Sequence, residues 1–242
     1  MKDYKNIEGD YYEKAHKGSH KSQEFMYTSR EDYFIDFMKL KGNEKILDIG
    51  CGSGTFTRRI AKAYPNIKII GADISEKVIA FARKETKKRK IKNASFIVSG
   101  INKINVDVQF DVIIVSHLIE HLEKPLDALN EVKKKLRKGG SLFITTPNYT
   151  SLWPLAEKVF DKTIAKEGYS LDEQHISRFN YNSIQEIVKK SRLKVDEIKT
   201  LYIFSLEASL LSKTLGNLSF KIDKALDTLP FGMIIYLKAK KN

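Results

Sequence analysis

Cysteine is nearly absent: Cys51 stands alone in the chain, so no disulfide framework is available and a reducing compartment is expected. Apolar runs are short. None approaches the roughly 18 uninterrupted apolar residues that a spanning helix needs, and the nearest stretch, Leu201 to Leu215, carries Glu207 and Lys213. The start, MKDYKNIEGDYYEK, has no apolar core of the kind a secretory signal requires. Repeats, low-complexity linkers and composition breaks are missing too, which leaves no point at which to divide 242 residues. Together these absences imply one soluble, cytoplasmic domain over residues 1–242, large enough to fold without a disulfide or metal staple.

Negative charge is the minority sign. Lys and Arg number 43 against 30 Asp and Glu, giving +13 and raising the question of an anionic partner such as RNA or a membrane surface. The lysines are nevertheless spread along the chain, with clusters at Lys87–Lys90, Lys133–Lys135 and Lys238–Lys241. A solvated lysine-rich surface accounts for that pattern.

Short apolar runs alternate with amphipathic stretches, the pattern of an α/β fold. Strands are expected at Lys45–Ile49, Lys68–Ala72, Ser95–Val98, Asp111–Val115, Ser141–Thr145, Lys194–Phe204 and Met233–Lys238. The first five are continuously apolar, as strands covered on both faces should be. Thr55–Tyr64, Glu76–Arg89 and Pro125–Leu136 supply crossover helices, Ser183–Ser191 a later one, and Gln23–Met38 a helix that would lie across the site. The expected architecture is a doubly wound, seven-stranded, mostly parallel sheet with an antiparallel C-terminal strand. Residues 1–40 would form an N-terminal lid, and 148–173 and 205–227 insertions on the acceptor side.

The sharpest local signal is ILDIGCGSGTF, Ile46 to Phe56. A strand ends at Ile49 and glycines follow at 50, 52 and 54, where small residues admit positive φ and close approach to a ligand. A dinucleotide fingerprint would place its third glycine at position 55, which is Thr55. The tighter spacing, with Asp48 upstream, suits an amino acid joined to a nucleoside. In GADIS, 19 residues after Gly54, Asp73 ends the next strand and is placed to accept both ribose hydroxyls. Its other reading is a cap for the helix starting near Ser75. Removing Asp73 is expected to weaken cofactor binding at least about tenfold with the fold intact.

These segments, with SHLIEHLEKP and LRKGGSLFITTPN, resemble the class I S-adenosylmethionine-dependent methyltransferases over about Phe25 to Lys194. The likeness is to the branch holding ubiquinone-biosynthesis and other small-molecule enzymes. It implies a Rossmann-like methyltransferase fold, S-adenosylmethionine as cofactor and S-adenosylhomocysteine as product. It also implies that Gly50, Gly52 and Gly54 line the methionine part, Asp73 the ribose and Ile74 one adenine face. Asp48, Ser116, His117 and Arg30 would complete the set, Arg30 near the cofactor carboxylate. The family's usual adenine-binding acid is missing: its slot is Gly100, with Ser99 and Asn102 as substitutes. Tyr11 and Tyr12 are candidates to cap the cofactor.

Methyl transfer from a sulfonium asks mainly for alignment, and for a base only when the acceptor must lose a proton. His121 and His175 are the candidates beside the acceptor. Of five histidines, His117 and His121 fall just past the fourth strand, while His16 and His20 sit in a polar stretch that implies no function. If 117–121 is helical, His117, Glu120 and His121 share a face, and with His175 they offer an alternative metal-ligating set. Small-RNA 2′-O-methyltransferases show a similar pattern, so a metal-assisted RNA enzyme is the second reading. A non-catalytic cofactor-binding relative is the third. Tyr149, Trp153, Phe160, Tyr169, Phe204, Leu210, Leu211, Leu215 and Phe220 lend the insertions an apolar character, which favours a small organic acceptor with a hydrophobic portion.

Overall fold

The computed structural model describes residues 8–10, 21–163, 174–205, 208–209 and 212–242. Tyr11, Tyr12, His16, His20, Tyr169, Leu210 and Leu211, and the side chain of Phe160, lie outside the described residues. In chain order the elements are α1 (Lys21–Met38), β1 (Lys45–Ile49), α2 (Thr55–Ala63), β2 (Lys68–Asp73), α3 (Glu76–Lys88), β3 (Ala94–Val98) and β4 (Phe110–Ser116). They continue as α4 (Pro125–Lys135), β5 (Leu136–Pro147), α5 (Trp153–Thr163), α6 (Tyr181–Lys190), β6 (Lys194–Leu201), α7 (Lys213–Ala225) and β7 (Ile234–Lys240).

The seven strands form one sheet in the order β3-β2-β1-β4-β5-β7-β6. β1 to β5 are mutually parallel, and β7 runs antiparallel between β5 and β6. The doubly wound architecture expected from the alternation is therefore present. The strand order reverses direction at β1 and β4, so the crevice at their carboxyl ends is the switch point where such sheets bind ligands.

Side-chain alternation sorts the core into two layers. Leu47, Ile49, Ile113, Val115, Leu142 and Ile144 face α4 and α6 through Leu129, Val132, Ile184 and Val188. Ile46, Val112, Ile114 and Phe143 face the other way, onto Phe34, Phe37, Ile60 and Ala61 of α1 and α2. Each such fully buried side chain contributes roughly 1.5–3 kcal/mol.

Two strand boundaries differ from the sequence reading by more than two residues, and one helix plays a different part. β5 begins at Leu136 rather than Ser141, because the chain leaves α4 straight into the sheet and Gly139, at φ +74°, absorbs the irregularity. β6 ends at Leu201, before Phe204, where Tyr202 takes φ +65°. The C-terminal half of α1 is a layer of the fold rather than a lid: Tyr33, Phe34, Phe37 and Met38 are core, and Phe34 stacks on Phe56 at 5.4 Å. Among the described residues, no helix is long and apolar enough to cross a membrane.

Candidate functional site

The glycine turn is folded down over the end of β2. Gly50 and Cys51 both donate to the Ala72 carbonyl, at 2.8 and 3.0 Å. Gly50, Gly52 and Gly54 have φ of +75°, +53° and +74°, conformations that side chains rarely adopt. A Cβ on Gly54 would also stand 2.4 Å from the Phe96 ring. The turn is thus held open by backbone geometry, with α2 starting directly behind it.

Asp73 is buried beneath this turn. One carboxylate oxygen accepts the Gly52 N–H and the other the Ser75 N–H, both at 3.0 Å. Burial raises its pKa, against the opposing effect of those backbone donors. Ser75 itself caps α3 through Val78 N–H. The helix cap is thus Ser75 rather than Asp73, whose carboxylate instead ties the glycine turn to the residue that caps α3. An ionised carboxylate has about four lone-pair sites, and with backbone donors from Gly52, Ser75 and Ile74 it keeps capacity for a further hydroxyl donor.

Asp48 lies deeper, bonded to the Thr57 hydroxyl at 2.5 Å. Burial pushes its carboxyl up to about 7, with the charges of Glu31 and Asp73 adding to the effect and the Thr57 bond opposing it. It supports the turn from below. Ile74 is 43% exposed at the edge, and a Cβ at position 100 would meet only its Cδ1, at 3.8 Å. That gap over Ile74 fits a planar base. The Ser99 hydroxyl is occupied within the loop, donating to the Lys103 carbonyl and accepting Asn105 N–H, both at 3.1 Å. Those two bonds hold the loop and leave one acceptor lone pair on the Ser99 hydroxyl. Asn102 is exposed.

Past β4, Ser116 bonds Thr145 at 2.9 Å, and the chain turns at His117, whose φ is +47°. This kink prevents the helix expected over 117–121: only Ile119–His121 forms a 3-10 turn. His117 consequently does not join the cluster it was expected to share. Its Nδ1 lies 3.1 Å from Glu120 Oε1, and its buried Nε2 has no hydrogen-bond partner among the described residues. Burial and the nearby Arg30 guanidinium push His117 down to about 4, against the effect of Glu120. It is therefore neutral, giving its Nδ1 proton to the carboxylate and keeping an Nε2 lone pair. That orphan acceptor beside Arg30 matches a zwitterionic amino-acid moiety, an ammonium for one and a carboxylate for the other.

Glu120, His121 and His175 do come together, each bringing one ligand-type atom within 4.8 Å of the others. The return strand after the insertion places His175: Ser177 N–H donates to the Glu120 carbonyl and the Ser177 hydroxyl to the Leu122 carbonyl. The rings of His121 and His175 are 5.1 Å apart. His175 Nδ1 contacts Glu157 Oε1 at 2.5 Å and the Tyr149 hydroxyl at 2.8 Å, while that hydroxyl bonds Glu157.

Glu157 and Tyr149 were not read as polar partners from sequence. A signal existed: Glu157 occupies the apolar stripe Trp153, Ala156, Glu157, Phe160, where an acid needs an explanation. Of the other insertion residues, Trp153 and Phe220 pack against the core, while Phe204 and Leu215 are 55% and 45% exposed. A cavity of about 470 Å³ is lined by Thr150, Ser151, Leu152, Tyr202, Phe204 and Phe231, among others.

A strand–glycine–helix turn at the switch point, with a buried acid ending the next strand, defines a nucleoside-cofactor site on a Rossmann-like sheet. The chain belongs to the S-adenosylmethionine-dependent methyltransferases: the methyltransferase-domain family matches residues 40–201. It is 32% identical over 105 residues to malonyl-[acyl-carrier protein] O-methyltransferase of Paenibacillus sp., covering 42% of this chain and 38% of that protein. It is 33% identical over 108 residues to ubiquinone biosynthesis O-methyltransferase of Pelagibacter ubique, covering 45% and 44%. The match thus spans less than half the length of these curated relatives. Magnesium protoporphyrin IX methyltransferase from Synechocystis, solved with bound S-adenosylhomocysteine, shares the fold at TM-score 0.63 and 14% identity, covering 96% of this chain and 94% of that one.

Proposed function

We propose that this protein transfers a methyl group from S-adenosylmethionine to a small organic acceptor with a hydrophobic portion. The observation carrying the acceptor class is the mostly apolar lining of the cavity of about 470 Å³, whose wall includes Thr150, the residue that follows Tyr149 in the chain. When bound, the cofactor supplies a methyl already activated by positive sulfur. The chain's own work is alignment and exclusion of water. Gly50, Gly52 and Gly54 admit the cofactor backbone, Asp73 holds the ribose, Ile74 with Gly100 flanks the base, and His117 with Arg30 takes the amino-acid end. Asp48 and Ser116 support that cradle. His121 and His175 border the acceptor.

The charge distribution disfavours RNA as acceptor. Lys87 and Lys88 lie in the last turn of α3, and Lys133 to Lys135 in that of α4. Crossover helices run against their strands, so these ends lie at the sheet edge opposite the site. Lys240, at the end of the antiparallel β7, pairs with Lys194 at the start of β6 and with Ser141, which is level with Val112 near the start of β4, and this puts the third cluster at the same far edge. A basic path to the active centre is not formed by these clusters.

The test is methyl transfer from labelled S-adenosylmethionine into a cell extract separated into RNA, protein, lipid and small-molecule fractions. Label is expected in the lipid or small-molecule fraction. Label confined to RNA would overturn the acceptor class, and cofactor binding without transfer to any fraction would support a non-catalytic relative.

A further inference from the structure

We propose that the edge of the sheet opposite the cofactor crevice is a docking surface for the phosphate backbone of duplex nucleic acid. The inference goes beyond the methyltransferase reading and does not rest on it: the nucleic acid is a mooring, not the methyl acceptor. Lysines that are scattered along the sequence are gathered by the topology. β1 to β6 begin at this edge, β7 ends there, and α1, α3, α4 and α6 run down to it.

Strand starts supply Lys45, Lys68 and Lys194, and helix ends supply Lys87, Lys88 and Lys134, all exposed. Lys92 precedes β3 at one end of the sheet, and Lys194 opens β6 at the other. Six inter-strand intervals of roughly 4.8 Å make this ridge about 29 Å long. That is the rise of about eight base pairs at roughly 3.4 Å each. Three acids of the same edge are already engaged. Glu44 accepts the N–H groups of Lys41, Gly42 and Asn43, Asp111 holds Arg137, and Asp196 pairs with Lys238 and Lys240. Lys45, Lys68, Lys88, Lys92 and Lys194 have no acidic partner among the described residues.

Folding alone does not account for the arrangement. Lys45 and Lys68 are register partners on β1 and β2, as are Lys194 and Lys240 on β6 and β7, and like charges set opposite each other weaken strand pairing. Lys90 and Arg192 follow the ends of α3 and α6 with φ of +54° and +61°, the left-handed position at which helices favour glycine. The helix dipoles do not require cations there, since Lys87 and Lys88 already serve α3, and Lys189 and Lys190 serve α6. Positive charge is concentrated at this edge against the interest of stability, as in a surface built for an anion.

The composition of the edge selects the kind of polyanion. The segments that lead into its strands carry one aromatic residue, Tyr64, which packs against the core, so they offer no platform for stacking single-stranded bases. Their one exposed large apolar side chain is Val108, too little to insert into a bilayer. What remains is point-charge contact with regularly spaced phosphates, which carries no sequence readout.

The test is fluorescence anisotropy of a labelled mixed-sequence duplex of about 20 base pairs, as RNA and as DNA, between about 50 and 200 mM salt. Binding is expected with a roughly micromolar Kd at the low-salt end, weakening steeply with salt. Lys45→Gln/Lys68→Gln should weaken it about tenfold and reduce the slope of log affinity against log salt by about two, one for each phosphate contact. Lys90→Gly/Arg192→Gly, in which glycine suits the backbone, should weaken it by a similar factor. Lys158→Gln/Lys221→Gln removes the same charge from exposed positions on α5 and α7. Charges so far from the ridge are screened, and affinity there should change less than about twofold. Cofactor affinity should be unchanged in all three variants. Absence of binding at about 50 mM salt would overturn the proposal. Equal weakening by the edge and control pairs would overturn it too, by reducing the effect to net charge. Binding to phosphatidylglycerol vesicles but not to either duplex would overturn the nucleic acid and assign the edge to a lipid surface. Edge-dependent duplex binding by a protein that binds no cofactor would sustain the surface and contradict the proposed function.

Discussion

The Asp73 carboxylate holds the Gly52 N–H at 3.0 Å, so the acid expected to bind the ribose also fastens the glycine turn that receives the rest of the cofactor. Two substitutions separate these jobs. Asp73→Asn keeps an acceptor oxygen but loses the charge, and each charge-assisted bond to a ribose hydroxyl is worth roughly 1.5–3 kcal/mol. Cofactor affinity should fall about 10- to 100-fold by calorimetry, and since Asn keeps only one of the two accepting oxygens the melting temperature should fall between those of wild type and Asp73→Ala. Asp73→Ala frees both Gly52 N–H and Ser75 N–H and should lower the melting temperature as well. Equal affinity in wild type and Asp73→Asn would remove Asp73 from the ribose site.

Gly54→Ala should destabilise the protein for two distinguishable reasons. Its φ of +74° is strained for alanine, at roughly 1–2 kcal/mol, and the added carbon would collide with the Phe96 ring. Shrinking the ring in Gly54→Ala/Phe96→Leu should relieve the collision and leave the strain. Urea denaturation of the four proteins in this cycle measures the split. Strict additivity of the two substitutions would show that the ring and the turn do not constrain each other.

Asp48 makes stability pH-dependent in an unusual direction. Burial holds its folded pKa near 7, above the ordinary 3.8. Between those values the folded state binds the extra proton, so Asp48's stabilising contribution is full below about pH 4 and is lost as pH rises through 7. The slope from this one group is at most about 1.4 kcal/mol per pH unit. Urea midpoints at pH 5 and pH 8 should differ less in Asp48→Asn than in wild type. An unchanged difference would mean that Asp48 is ionised throughout.

Asn148 is fully buried. Its amide donates to the carbonyls of Pro230 and Gly232 at 2.9 and 2.8 Å, tying the end of β5 to the loop before β7. Asn148→Ala leaves those carbonyls unpaired, at about 1–3 kcal/mol for each buried group. Urea denaturation should show a loss of a few kcal/mol, with cofactor affinity little changed at equal folded fraction. A loss confined to cofactor binding would place this residue in the site instead of under it.

Much of the fold was legible because apolar runs of strand length alternate with amphipathic helices, and the ILDIGCGSG and GADIS segments fall where such sheets bind ligands. The site after β4 was legible only in part. Helical spacing placed His117 with Glu120 and His121, but a positive φ at His117 turns the chain before a helix forms. Glu157 was hidden for a different reason: it lies 18 residues from His175, and local spacing carries no signal about a partner across an insertion. Ser99 illustrates a third limit, since sequence does not show that its hydroxyl serves its own loop.

The central claim is that the turn at Gly50–Gly54 with Asp73 binds S-adenosylmethionine, and its most direct test is calorimetric titration of that compound and of S-adenosylhomocysteine. One site per chain is expected, with Kd near micromolar or tighter, about −8 kcal/mol or better, weakened about tenfold or more in Asp73→Asn. Absence of heat and of thermal stabilisation at about millimolar ligand, a concentration at which even −4 kcal/mol of affinity registers, would contradict it.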